Sequence, residues 1–161
     1  MEPLEIEIVL DEHAIMPDRA HPTDAGLDLF APDWPEGGKK PIWPGGHLKI
    51  DTGVHIAIPE GYKGSIEAKS SHMANSGILT AGTIDVGYTG SICVVLFNFG
   101  ASTFVVEPKM KIAQLVIEKI ATPRLKLVEK LQETARGNGG FGSTGKFASQ
   151  AEKPHIPWEA N

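Results

Sequence analysis

The chain has 161 residues and a single cysteine, Cys93, so no disulfide can close within it. That usage fits a reducing compartment. No apolar run approaches the ~20 residues that a membrane-spanning helix needs, so no membrane partner is expected. The start, Met1-Glu2-Pro3-Leu4-Glu5, has neither a basic nor an apolar segment. No secretory signal is read there, and the expected setting is cytoplasmic. Cations are outnumbered: 15 Lys and Arg face 20 Asp and Glu, for a net charge of −5. No basic stripe remains to receive polymeric nucleic acid. An acidic chain that binds a polyanion needs a few local cations and a metal. The histidines (His13, His21, His47, His55, His72 and His155) lack the close spacing of metal ligands. Each reads as a surface or packing residue.

Glycine and proline are plentiful, at 18 and 12, and they point to short strands and tight turns rather than long helices. Leu4, Ile6, Ile8 and Leu10 alternate with Glu5 and Glu7, which is the period of a half-buried strand. Further strands are expected at 26–31, across 47–58 with a break at Thr52-Gly53, and at 63–68, 78–84, 90–99, 102–106, 111–119 and 123–131. Residues 32–46 carry four prolines and four glycines and read as a surface loop. One short helix is expected at Ser70 to Ser76, with an N-cap serine and a stop at Gly77. The order of elements says all-β, a sandwich or a closed barrel. A single domain over 1–133 is expected, followed by a tail over 134–161.

The densest chemistry lies in Arg136-Gly137-Asn138-Gly139-Gly140-Phe141-Gly142-Ser143-Thr144-Gly145. Glycine lets a backbone approach a ligand closely with its N–H groups exposed. With Arg136, Ser143 and Thr144 these groups make a phosphate cradle, and Phe141 offers a face to stack on a base. A flexible Gly/Ser linker is the other reading of the same run. A P-loop is rejected. Gly140 to Lys146 has the spacing, but Phe147 stands where Ser or Thr is needed, and too little chain follows for the helix and strands.

Asp85 sits on the turn Asp85-Val86-Gly87-Tyr88, where a carboxylate could act as a general base or simply bond its own turn. Lys69-Ser70-Ser71 enters the short helix, where free N–H groups attract phosphate, or where a serine merely caps. Gln114 lies in a strand, where a lone Gln reads as a surface residue. Asp28 could order water on magnesium or cap a turn.

The joint order of these pieces resembles the five motifs of the trimeric deoxyuridine triphosphatase (dUTPase) family. They are Thr23-Asp24-Ala25-Gly26-Leu27-Asp28-Leu29, Lys69-Ser70-Ser71, Gly82 to Gly90, Lys111-Ile112-Ala113-Gln114-Leu115 and Arg136 to Gly145. The resemblance implies a jelly-roll-like β-barrel of the β-clip class, with a flexible C-terminal tail that is disordered without ligand. It implies hydrolysis of dUTP to dUMP and pyrophosphate, with Mg2+, by a homotrimer with shared active sites. Asp85 would activate the water that attacks the α-phosphorus. Tyr88 would lie under the deoxyribose. A hairpin from Leu79 to Ile84, including Gly82, would read uracil through its backbone. Lys69, Ser70, Ser71 and Gln114 would hold the phosphates, and Asp28 would act through water on magnesium, which is otherwise held by the triphosphate. Arg136, Gly142, Ser143 and Thr144 would close on the γ-phosphate end while Phe141 covers the base.

The chain departs from the family pattern in three places. Lys69 replaces the usual Arg of the second motif. Lys109-Met110-Lys111 replaces the Gly-Asp-Arg that usually opens the fourth. Lysine keeps the charge but loses the bidentate fork. Residues 146–161 also follow the last motif, and no role is assigned to them. A dCTP deaminase of the same fold is a rival, but Val95 stands where its catalytic glutamate would align. A nucleotide sensor or protein-binding trimer on the same scaffold is another, and a regulatory protein partner could coexist with catalysis. A cellular and a viral or phage origin are both compatible with the sequence.

Overall fold

The computed structural model describes residues 4–139. In chain order the strands are β1 (Ile8–Leu10), β2 (Gly26–Phe30), β3 (Lys40–Ile42), β4 (His47–Asp51), β5 (Val54–Ile56) and β6 (Tyr62–Glu67). After the helix α1 (Ser70–Ser76) come β7 (Ile78–Leu79), β8 (Ala81–Ile84), β9 (Cys93–Asn98), β10 (Phe104–Val106) and β11 (Lys111–Lys119). The all-β reading with one short helix holds.

The largest sheet has the order β2-β11-β6-β8, and a second has the order β4-β9-β7. Two-stranded pairings, β1 with β5 and β10 with β3, complete the set. All these pairings are antiparallel. They do not close a hydrogen-bonded ring among the described residues. The sheets instead share one aliphatic core, in which Leu29, Ile42, Ile50, Val54, Ile66, Ile78, Val94, Leu96, Val106, Ile112 and Leu115 are buried. The alternation of β6 and β9 delivers these side chains inward, one residue in two. The buried polar residues Asn98 and Thr52 are paired, whereas the Thr80 hydroxyl is buried with no partner among the described residues. Asn98 donates to the carbonyls of Ile42 and Ser102 and accepts from Gly100 N–H. Thr52 Oγ1 donates to Ile92 O at 2.7 Å, which fixes the break between β4 and β5.

Four expectations need correction. Residues 32–46 contain β3, which pairs with β10. Its three residues are too few to show a period, and Pro41 is tolerated because this sheet has only two strands. Residues 123–131 form no strand. Leu125 and Leu127 alternate as a strand would, but they are 97% and 98% exposed. Leu79 to Ile84 is not a hairpin: β7 joins β9 while β8 joins β6, so the chain changes sheets at Thr80. A single connecting residue is too short to fold two strands back on each other. Finally, the N-cap of α1 is Lys69, in extended conformation and without a side-chain cap bond. The stop is as expected, since Gly77 is left-handed at φ 64°. A Cβ there would also meet Gly100 N at 2.7 Å.

The chain divides into two units, Met1–Pro123 and Arg124–Asn161. In the described part of the second unit, Lys130 pairs with Glu133 at 2.6 Å. A turn follows, with Gly137 N–H donating to Thr134 O at 3.1 Å.

Candidate active site

The main sheet lines up polar residues across its strands. Asp28 on β2 pairs with Gln114 on β11, Gln114 pairs with Glu67 on β6, and Glu67 pairs with Ala81 on β8. Partners in register point to the same face, so Asp28 and Gln114 share one surface near the end of β6 that leads into Lys69. A bulge between Lys111 and Ala113 breaks the alternation of β11 against β2. Ile112 and Ala113 are consequently both buried, and Lys111 remains at the rim.

Asp28 is 3% exposed. Lys69 Nζ lies 2.5 Å from its Oδ1, and Lys111 Nζ lies 2.6 Å from its Oδ2. Burial by itself raises the Asp28 carboxyl, but hydrogen bonds and charge from Lys111 and Lys69 outweigh it and hold the group below the usual carboxylate range. The same contact pushes the Lys111 ammonium up. One carboxylate against two ammonium groups leaves the cluster with a charge of about +1, which favours a polyanion. Lys111 was absent from the residues expected to form the site. A signal for it exists, because a buried Asp between two basic motifs needs cations beside it. Ser70 and Ser71 occupy the first turn of α1, whose N–H groups receive no cap bond from the Lys69 side chain. His72 anchors that turn, with Nε2 donating to Lys111 O at 2.8 Å and its ring edge-on to Phe104.

Asp85 follows the last residue of β8. Tyr88 N–H donates to Asp85 O at 3.2 Å, with Gly87 at φ 84°, as a type II turn requires at its third position. The Asp85 carboxylate is exposed and makes no hydrogen bond or ion pair with the described residues, so it does not cap its own turn. Tyr88 Oη donates to Ser91 O at 2.9 Å, and its ring is half exposed. A Cβ on Gly90 would meet that Oη at 2.6 Å, so the ring lies back only over glycine. β8 is the outer strand of its sheet, which leaves one edge of backbone N–H and C=O groups open beside Gly82 and Ile84.

These groups form two clusters. β8 advances ~13 Å from Ala81 to Asp85, and three strand spacings from β2 to β8 add ~14 Å. Asp28 and Asp85 therefore stand on the order of 20 Å apart. Arg136 belongs to the second unit, where its Nε donates to Gly139 O at 2.9 Å. Phe141, Gly142, Ser143 and Thr144, together with the expected disorder of the tail, lie outside the described residues.

No group of three or more His, Cys, Asp or Glu among the described residues could hold a metal ion. Both oxygens of Asp28 are engaged by ammonium groups, so this residue does not fit as a free metal-ordering carboxylate. No helix among the described residues is long and apolar enough to cross a membrane.

The chain resembles known proteins in sequence and in fold. The dUTPase family model matches residues 12–145. The deoxyuridine 5'-triphosphate nucleotidohydrolase of Clostridium tetani is 44% identical over 141 residues, covering 86% of this chain and 94% of that protein. The protein of the same name from Alkaliphilus metalliredigens is 42% identical over 135 residues, covering 82% and 90%. Among solved structures, the Staphylococcus bacteriophage 80alpha dUTPase with dUPNHPP superposes with a TM-score of 0.79 at 30% identity, covering 88% of this chain and 99% of that one. A mutant dUTPase from phage phi11 of S. aureus, described as revealing the coordination of a structural Mg(II) ion, has a TM-score of 0.71 at 28% identity, covering 81% and 100%. From the match over most of its length and the all-β architecture it shares with these structures, the chain belongs to the dUTPase family.

Proposed function

We propose that the protein hydrolyses dUTP to dUMP and pyrophosphate, keeping uracil out of DNA and supplying dUMP for thymidylate synthesis in the cytoplasm. The observation that carries this reading is the Asp85 carboxylate, exposed on its turn with no partner among the described residues. A base must be free to take a proton. Asp85 removes a proton from water, the resulting oxygen attacks the α-phosphorus, and pyrophosphate leaves. Lys69 and Gln114, with the hydroxyls of Ser70 and Ser71, hold the phosphate oxygens against the cationic cluster around Asp28. Tyr88 lies under the deoxyribose, where a ribose 2′-hydroxyl would clash.

The open edge of β8 at Gly82 and Ile84 supports backbone recognition of uracil. Uracil offers a donor between two acceptors, and cytosine reverses part of that pattern and leaves buried groups unpaired. Arg136, Phe141, Gly142, Ser143 and Thr144 close over the substrate as a lid within the tail 134–161. Magnesium enters this reading as the companion of the triphosphate.

The two clusters support an assembled site. Groups on the order of 20 Å apart cannot both touch one triphosphate, so the Asp85 turn and the Lys69 cluster of a given site come from different chains. We propose a homotrimer. Phe99, Leu125 and Leu127 are apolar and largely exposed in the single chain, which supports burial against neighbouring copies.

The test is pyrophosphate release with magnesium from dUTP, dCTP, dTTP and UTP in parallel. Release from dUTP alone is expected. Release from none of them would turn the reading toward a nucleotide sensor on the same scaffold, and ammonia from dCTP would turn it toward a deaminase.

A further inference from the structure

The turn that carries Asp85 and Tyr88 is held from outside the phosphate cluster. Its far end is fixed by backbone: Ile92 N–H donates to Val54 O at 2.8 Å, and Thr52 N–H donates to Ile92 O at 3.1 Å. Ser91 Oγ donates to Asp51 Oδ1. One side chain reaches further into the turn. His55, on β5, has Nδ1 2.8 Å from the Thr89 carbonyl oxygen and Nε2 3.2 Å from Asp11 Oδ2. Asp11 is held in place because β1 pairs with β5, Val9 opposite His55, and because Asp11 N–H donates to Gly53 O at 2.8 Å.

Both partners of this imidazole are acceptors. A neutral ring carries one N–H and one lone pair, so either tautomer would aim a lone pair at an oxygen. The imidazolium alone donates to both. The surroundings agree. His55 opens on a cleft of about 390 Å³ that Glu7 and Asp11 also line, with no Lys or Arg of the described residues among its walls. Asp51 adds negative charge from the end of β4, and the cation beside it, Lys49, acts on Asp51. The Thr89 carbonyl first, and then Asp11, push the His55 pKa up.

We propose that His55 is a positioning residue for the reaction: its imidazolium ties the Thr89 carbonyl to β5 and Asp11, and thereby fixes the turn that presents Asp85 and Tyr88. The proposal rests on the roles given to those two residues above. With a raised pKa in the folded protein, the clamp is complete below the ordinary histidine range and is lost as pH rises through the folded value. Past that point one of its two contacts becomes lone pair against oxygen, and the turn loosens. The consequence falls more on kcat, through Asp85, than on KM, through Tyr88, because Lys69 and Gln114, which hold the phosphates, lie on the other cluster.

The experiment compares the full-length parent with His55→Ala and His55→Gln. It measures kcat and KM for dUTP and, separately, the backbone amide shifts of Thr89 and Gly90 by NMR, from about pH 6 to about pH 9 across the histidine range. Parental kcat is expected to fall ~3–10-fold through the His55 titration, about the net worth of one ordinary hydrogen bond. His55→Ala is expected to show the low kcat throughout with that inflection gone, and with KM changed by less than kcat. His55→Gln keeps one donor and is expected to lie between. The Gly90 amide is expected to titrate with the His55 ring in the parent and to be flat in His55→Gln. Parental kcat and pH profile in His55→Ala would overturn the proposal, as would a Gly90 amide indifferent to the His55 ring. Should His55→Ala fail to fold, His55→Gln supplies both readouts. A parent that does not hydrolyse dUTP would sink the functional reading, while the Gly90 titration would still decide the clamp.

Discussion

Asp28→Asn removes one charge and almost no volume from a position that is 3% exposed. It leaves Lys69, whose side chain is 17% exposed, without its counter-charge. Lys111, at 46%, can turn to water and rehydrate. Removing one partner of a buried pair costs about 3–5 kcal/mol. Lys69 retains some solvent, so the expected loss is ~2–4 kcal/mol. For a folded unit of roughly 120 residues this lowers Tm by about 10 °C. Calorimetry at one protein concentration, at neutral pH and near pH 3, measures it. The carboxyl of Asp28 is depressed in the folded protein, so its stabilisation is full above the unfolded value of about 3.9 and fades as pH falls through the folded one. Parent and variant are therefore expected to converge in acid. Adding Lys69→Met to Asp28→Asn is expected to recover most of the loss, since the stranded charge is gone. A variant within ~0.5 kcal/mol of the parent at neutral pH, the scatter of an ordinary surface change, would refute the argument that the pair is buried and interdependent.

Asp85→Asn keeps the shape of the turn and removes the proposed base. Hydrolysis of dUTP is expected to fall by at least ~100-fold with nucleotide affinity nearly unchanged, as rapid-quench turnover and calorimetric titration would show. Lys109 has φ 64°, at the third position of the turn Glu107-Pro108-Lys109-Met110. Lys109→Gly is expected to raise stability by ~0.5–1 kcal/mol, because glycine removes the left-handed strain and the exposed ion pair to Asp33 contributes little. Urea unfolding tests this, and a loss of stability would contradict it. A chain cut after Glu133 lacks the Arg136 to Gly145 segment. It is expected to keep the circular dichroism spectrum of the parent and lose most turnover, and full activity would contradict the lid.

Much of the fold was legible because its causes are local. The period of β2, β6 and β11, the break at Thr52-Gly53 and the stop at Gly77 each depend on residues within a few positions of one another. The misreadings share a different cause. β3 is three residues with a proline, and only its partner β10 makes it a strand. Leu125 and Leu127 have the alternation of a strand and no pairing to go with it. The short stretch around Thr80 reads as a hairpin until β9 and β6 claim its two halves.

The candidate site divides along the same line. Asp85 on a glycine turn, Lys69-Ser70-Ser71 at a helix start and the glycine run after Arg136 are chemistries visible in sequence order, since each needs neighbours only a few residues away. Family membership follows from that order. Register decided the rest. Antiparallel pairing sets Asp28 beside Gln114, and a bulge swings Lys111 onto the same carboxylate. The pairing of β1 with β5 brings Asp11 to one nitrogen of His55, and the Ile92–Val54 backbone bond holds the segment that brings Thr89 to the other. Nothing in the residues adjacent to His55 marks it as more than a surface histidine. Its significance comes from two acceptors contributed by distant segments, because hydrogen bonds and ion pairs act over about 3 Å in space whatever their separation along the chain.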